Sequence, residues 1–296
     1  MSEPLDAAKL LAHRIPQTRD EYDPRDAIIY ALGVGAGLSP EVDELRFLYE
    51  RRLQVMPTMA LVLGTPGFWP MDPASGLDWL NILHGEQRLR LLRPLDPTDT
   101  LTGDTRVTHL ADKGAGKAAM VRAVKQLKST SGTLVAEATE TWVVRGAGGF
   151  GGERDLPGDP LPPVPERAAD VILDLPTSLA QAATYRLSGD RNPLHIDSAY
   201  ATRAGFERPI LHGLSSLGVA ARALIHGAAG GDASRLSSIA ARFTAPVFPG
   251  DTIRAELWIE GSQVHFRASV RNAIVIDHGL AELDGFAGQA DGALKQ

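Results

Sequence analysis

The sequence of 296 residues predicts an α+β fold built twice, each half a long helix wrapped by a curled antiparallel sheet. Three observations carry this expectation: a Gly/Pro-rich break near mid-chain, an ordered internal repeat across it, and strands of period two that follow a helix of period 3.6. Between Gly146 and Pro165, eleven of twenty residues are Gly or Pro. Such a stretch is too flexible and too poor in backbone donors to hold a helix or a central strand, so it reads as a surface linker. The chain then divides into an N-terminal repeat (residues 1–150), a linker (151–168) and a C-terminal repeat (169–296).

The two halves match in order. Pro94-Leu-Asp-Pro-Thr-Asp-Thr-Leu101 returns as Pro246-Val-Phe-Pro-Gly-Asp-Thr-Ile253, an offset of 152 residues that also carries Pro57 onto Pro209. Tyr30-Ala-Leu-Gly returns as Tyr185-Arg-Leu-Ser at an offset of 155. Shared turn chemistry explains one such match, but a conserved order of three indicates duplication.

In the second half, Gly213 to Ile225 carries Leu214, Leu217, Ala221, Leu224 and Ile225 at helical spacing, with Gly227 as a stop. Its other faces are apolar too, so this helix should be deeply buried. Asp251–Ile259 alternates with Ile253, Ala255, Leu257 and Ile259 on one face, and further strands follow over Gln263–Arg271 and Ala273–Leu283. Short turns between them imply antiparallel pairing. The first half repeats this with strands at Asp104–Leu110, Lys117–Leu127 and Thr133–Val144. Its helix is less defined, because Pro57 interrupts the run from Leu45 and Gly64-Thr-Pro-Gly67 ends the next one early.

Composition narrows function. A net charge of −6 without a basic face excludes a nucleic-acid reading. With no cysteine, there is no disulfide framework, thiolate nucleophile or zinc-thiolate site. No apolar run approaches the ~20 residues that cross a bilayer, the N-terminus lacks signal-peptide order, and Leu294-Lys-Gln296 is not a peroxisomal ending, so a cytoplasmic setting is expected. Gly33-Val-Gly-Ala-Gly37 lacks the strand–turn–helix setting of a dinucleotide site, and Gly114-Ala-Gly-Lys117 is followed by Ala118 where Ser or Thr should hold Mg²⁺. The histidines show no metal-ligand spacing. Neither cofactor nor metal is expected.

The run Tyr185-Arg-Leu-Ser-Gly-Asp-Arg-Asn-Pro-Leu-His195, with Pro209-Ile-Leu-His-Gly213, resembles the type 2, (R)-specific or MaoC-like enoyl-CoA hydratases in their two-repeat form. Tyr30-Ala-Leu-Gly-Val-Gly-Ala36, Leu83-His-Gly-Glu-Gln87 and Asp112-Lys-Gly-Ala-Gly116 extend the likeness into the first half. The resemblance implies a double hot-dog fold and reversible hydration of trans-2-enoyl-CoA to (3R)-3-hydroxyacyl-CoA. That reaction needs a positioned water, a group to move its proton, and donors aimed at the thioester oxygen where charge gathers.

Asp190 and His195 suit the first two tasks, on a loop that Pro193 makes irregular and rigid. Which of them is the formal base stays open. Asn192 orients the pair or hydrogen-bonds the substrate hydroxyl, forms an Asx turn before Pro193, or does both. Gly213 opens the helix with an N–H that has no intrahelical partner, and the resemblance gives it the oxyanion role; His212 is read as loop packing. For CoA, the resemblance implies contacts at His84, Gly85, Lys113 and Phe243, and Arg191 is a candidate phosphate ligand. The first-half counterparts of Gly213, Asp190 and His195 are Leu61, Gly35 and Pro40, so one active site per chain is expected, with the first half holding the acyl chain. An acyl-CoA thioester and a second copy of the chain are the expected partners. Dehydration of a carrier-bound, branched or dicarboxylic 3-hydroxyacyl thioester, non-catalytic acyl-CoA binding and thioester hydrolysis remain as alternatives.

Overall fold

The computed structural model describes residues 4–40, 42–284 and 286; the first three residues of the N-terminal repeat and the last ten of the C-terminal repeat as bounded above lie outside the described residues. The first half contributes β1 (Thr18–Tyr22), β2 (Ile82–Leu91), β3 (Asp99–Asp112), β4 (Ala119–Ser129) and β5 (Leu134–Val144). The second contributes β6 (Val171–Pro176), β7 (Leu236–Phe243), β8 (Thr252–Glu260), β9 (Gln263–Val270) and β10 (Ala273–Leu283). All ten pair antiparallel in one sheet of order β1-β3-β4-β5-β2-β7-β10-β9-β8-β6. Followed inward from either edge, the order is the same: first, third, fourth, fifth and second strand of each half. The halves meet along β2 and β7, with Leu89 opposite Ile239 and Gln87 opposite Ala241. The double hot-dog is therefore present in the hydrogen bonding itself.

Alternation explains the strands. β9 buries Val264, Phe266, Ala268 and Val270 while the residues between them are partly exposed. β4 buries Ala119, Val121, Ala123 and Leu127 in the same rhythm, with Lys125 as the one charged member of the inward set.

Among the described residues, six α-helical segments accompany the sheet: α1 (Ala7–Ala12), α2 (Pro24–Gly33), α3 (Leu45–Leu48), α4 (Gln181–Tyr185), α5 (Ser198–Arg203) and α6 (Gly213–Gly227). α6 is the central helix of the second repeat. Every residue from Ser215 to Ile225 is buried, as its all-round apolarity predicts. Leu217, Leu224 and Ile225 have no exposed surface, and each stabilises the fold by roughly 1.5–3 kcal/mol of transfer energy.

The expected helix of the first repeat is absent among the described residues. The offset of 152 places its counterpart at residues 61–75, which instead hold the end of a 3-10 turn (Pro57–Leu61), a loop, and two short 3-10 turns, Trp69–Met71 and Pro73–Ser75. Pro66, Pro70 and Pro73 remove donors from any helical ladder there. Gly64 turns the chain at φ +62°, with its N–H donated to the Asp20 carboxylate at 2.7 Å. The freed carbonyls of Leu61 and Leu63 accept from the buried Lys125 ammonium at 2.7 and 2.6 Å, replacing the helical N–H partners.

Two of the contacts that join the repeats are fully buried. Tyr30 and Tyr185, equivalent residues of the duplication, are both fully buried with ring centroids 5.8 Å apart. Arg222 of α6 forms a two-pronged ion pair with Glu44, at 2.6 and 2.7 Å, and neither side chain is more than 1% exposed. Burial alone would raise the Glu44 carboxyl, but hydrogen bonds from His226 and Arg222, the Arg222 charge and the Gly37 N–H hold it at about 2.

Candidate active site

After α4 the chain makes a 3-10 turn over Arg186–Ser188 and reverses at Gly189, where φ is +128°. Two nested Asx turns then shape the loop. The Asp190 carboxylate accepts the Asn192 N–H at 3.2 Å, and the Asn192 side-chain oxygen accepts the Leu194 N–H at 3.0 Å. Asn192 thus caps a 3-10 turn over Pro193–His195, which turns the His195 ring inward and buries it.

The His195 Nδ1 lies 2.9 Å from the Ile210 carbonyl. A carbonyl only accepts, so Nδ1 carries the proton and Nε2 keeps its lone pair. Burial lowers the imidazole below its usual value, against the opposing pull of the Asp190 charge and the Ile210 carbonyl, which favours the neutral ring. His212 stacks on His195 with centroids 3.8 Å apart, and its Nε2 donates to the Asp190 backbone carbonyl at 3.2 Å. His212 therefore joins the Asp190 loop to the start of α6, a packing role extended by its ring contact with Tyr185 at 4.8 Å.

Gly213 is the first residue of α6, so its N–H has no carbonyl four residues back within the helix. A Cβ there would sit 3.4 Å from the Phe243 ring, which lines the same cavity as Gly213. Asp190, Asn192, His195 and Gly213 all line one cavity of about 560 Å³. A carboxylate, a neutral imidazole and a helix-terminal N–H around one space can hold a water, move its proton and receive an oxyanion.

The other sequence candidates separate. His84 and Phe243 line the same cavity and touch edge to face, centroids 4.8 Å apart; burial brings the His84 imidazole down to about 4. Gly85 occupies a bulge in the β2–β5 ladder, packed on Val143, and does not line the cavity. Lys113 lies in the β3–β4 turn, donating to the Arg154 carbonyl at 2.6 Å and to Asp155 at 2.7 Å. Arg191 is exposed and is not among the residues that line the cavity.

Leu61 lines the cavity, whereas Gly35 is buried against Arg222 and Gln181. Tertiary structure also gathers what the sequence spacing scattered: Asp190, His195 and His212 present ligand-capable atoms within 4.8 Å of one another. Sequence reasoning missed Lys125 and Glu140, which line the cavity from β4 and β5. The signal was available. Both fall in phase with inward residues, Lys125 between Ala123 and Leu127 and Glu140 between Ala138 and Trp142.

Fold and site together define a two-repeat hot-dog protein of the thioester hydratase and dehydratase class. Residues 161–278 match the MaoC-like domain, and residues 21–146 match the hydratase 2 N-terminal domain of the type 2 multifunctional enzymes. A 3-hydroxyacyl-thioester dehydratase Y from Mycobacterium tuberculosis is 43% identical over 88% of this chain and 93% of its own length. The mouse peroxisomal multifunctional enzyme type 2 is 38% identical over 92% of this chain, which spans 38% of that longer protein. A MaoC-like dehydratase from Phytophthora capsici superposes with a TM-score of 0.81 at 38% identity, covering 94% of this chain and 99% of that one. The chain belongs to the MaoC-like family in its two-repeat, hydratase 2 form.

Proposed function

We propose that the protein catalyses the reversible hydration of a trans-2-enoyl-CoA to the (3R)-3-hydroxyacyl-CoA. The observation that carries this reading is the convergence of Asp190, neutral His195 and the Gly213 N–H on one cavity large enough for an acyl chain. A water held between the Asp190 carboxylate and His195 Nε2 gives up a proton to this pair as its oxygen bonds to the β-carbon. The electron pair of the double bond moves toward the thioester, whose oxygen gathers negative charge at the Gly213 N–H and the positive end of α6. The α-carbon then takes a proton from the pair. Running the steps backward dehydrates the hydroxy ester, in keeping with the name of the M. tuberculosis relative.

His84 and Phe243 are proposed to flank the pantetheine arm, while Gly85, Lys113 and Arg191 meet the remainder of CoA outside the cavity. For Lys113 this requires leaving Asp155. The first repeat holds the acyl chain. We further propose a homodimer, readable by light scattering on a sizing column, and a cytoplasmic setting, readable by fractionation; among the described residues, no helix is long and apolar enough to cross a membrane. The reaction is proposed to need no metal, so dialysis against a chelator leaves turnover unchanged. Loss of turnover that zinc restores would assign the Asp190, His195 and His212 cluster to a metal instead.

The deciding experiment follows the absorbance of the conjugated enoyl thioester with short-, medium- and long-chain esters, and resolves the product by chiral chromatography. Absence of turnover on every ester, or an (S)-configured product, would overturn the assignment. Release of free thiol, read with a thiol reagent, would move it to thioester hydrolysis.

A further inference from the structure

On the first repeat's wall of the cavity stand two ionisable side chains that the proposed reaction leaves unused. Lys125 lies opposite Ala138, and Glu140 opposite Ala123, in the β4–β5 ladder. They are diagonal neighbours on the inward face, with Cα atoms about 7–8 Å apart. Lys125 has spent its three donors on the carbonyls of Leu61 and Leu63 and on Thr65 Oγ1, at 2.7, 2.6 and 2.9 Å. It has none left for a ligand.

Glu140 differs. It lines the cavity beside Ala138 and Trp142, and among the described residues its carboxyl enters no hydrogen bond or ion pair. Burial raises it to about 7, with the Lys125 charge opposing and the Asp190 charge adding to the rise. Glu140 is only partly buried and opens onto the cavity, so its unpaired carboxyl is available to bond a polar group of whatever fills that space and loses its hydration without return when an apolar group does. Gln87, on the neighbouring strand, does not bond the acid through its amide nitrogen, which donates to the Arg88 and Thr139 carbonyls.

We propose that Glu140 is a specificity-determining residue of the acyl-binding wall, selecting enoyl thioesters whose chain carries a hydroxyl beyond the reacting carbons over those with a plain hydrocarbon chain. A hydroxyl both donates and accepts, so it satisfies the carboxyl whether protonated or ionised. A hydrocarbon chain displaces water from the acid and returns no hydrogen bond. The position fits such a contact: Glu140 pairs with Gln87, and Gln87 with Ala241, so the acid stands two strands, about 10 Å, from β7, which carries Phe243 beside Gly213.

The proposal rests on the hydration reading, and its test separates the two. Turnover of a plain trans-2-enoyl-CoA is compared with that of the same ester bearing a single hydroxyl at successive positions toward the chain end. For at least one position, the wild-type kcat/KM should favour the hydroxylated ester by roughly tenfold or more, as expected for a site built to bond a substrate hydroxyl. Glu140→Leu should reverse the preference, and Glu140→Gln, whose amide also donates and accepts, should keep it. Calorimetric affinities for the matching saturated acyl-CoAs read the same preference without turnover, and thermal melts verify that each variant is folded. If no position is preferred in either assay, or if folded Glu140→Leu keeps the wild-type ratio, the subsite is refuted. If the affinities show the preference but no ester is turned over, the subsite stands and the hydration reading falls.

Discussion

Replacing Asp190 by Asn tests the site with little disturbance to the fold. An Asn side chain keeps an oxygen where the Asp190 carboxylate accepts the Asn192 N–H at 3.2 Å, so the first Asx turn survives. The backbone carbonyl that receives His212 is untouched, at 3.2 Å. What disappears is the charge and the ability to take a proton. Positioned proton transfer contributes about 10²–10⁴ in rate, so kcat should fall by that factor, equivalent to about 2.7–5.4 kcal/mol of lost transition-state stabilisation. KM should change little, because the acyl chain and CoA meet other residues. Removing the carboxylate also withdraws the charge that opposes burial at His195, so the imidazole should become still harder to protonate. Because the two groups act on one water, Asp190→Asn combined with His195→Gln should be hardly slower than the worse single variant. The assay is enoyl-thioester absorbance beside a thermal melt. An Asp190→Asn enzyme with more than about a third of wild-type kcat, or one whose losses in rate follow a collapse in Tm, would refute the reasoning.

The pH profile should be informative: with His195 lowered by burial, protonation shuts the base only below the ordinary histidine value, so kcat/KM should hold through pH 6.5 and decline further down. A midpoint above 6.5 would contradict the neutral, buried ring. Gly213→Ala should fold, since its Cβ meets Phe243 at 3.4 Å, an ordinary contact, yet kcat should drop by about 10²–10³ as the methyl crowds the oxyanion position. Full activity would remove Gly213 from that role. Glu44→Ala leaves Arg222 buried and unpaired and should cost about 3–5 kcal/mol, seen in denaturant titration. In the wild type, the Glu44 carboxyl is held at about 2, below its unfolded value of 4.5, so its contribution is complete above pH 4.5 and fades as pH falls toward 2. Glu44→Gln should flatten stability across that window, and an unchanged acid profile would argue against it.

The sequence showed the duplication, the strands and α6 because their rules are local: alternation, helical spacing, and Gly or Pro at breaks. It showed Asp190, Asn192 and His195 because they share one short loop. It hid the stacking of His212 on His195 and the approach of Glu44 to Arg222, which depend on segments far apart in the chain. The missing first helix was half visible, with Pro66, Pro70 and Pro73 plain to read. The Lys125 ammonium that takes over the carbonyls of Leu61 and Leu63 was not, since a lysine on a strand reads as solvated until its phase is compared with its neighbours.

The lost helix also has a volume. A helix matching the 15 residues of α6 would fill a cylinder about 22 Å long and about 10 Å across, roughly 1,700 Å³. The cavity of about 560 Å³ is lined by Leu61, Val62 and the run from Thr65 to Pro70, the sequence positions that such a helix would have used, and Trp69 packs among the neighbouring apolar cluster. Ligand room was thus made by subtraction, and the half that gave it up has no central helix of its own around which to fold. It leans instead on α6 and on the β2–β7 seam. A self-pairing single repeat would lose its helix on both sides at once. Joining two copies in one chain lets one side stay whole while the other is hollowed.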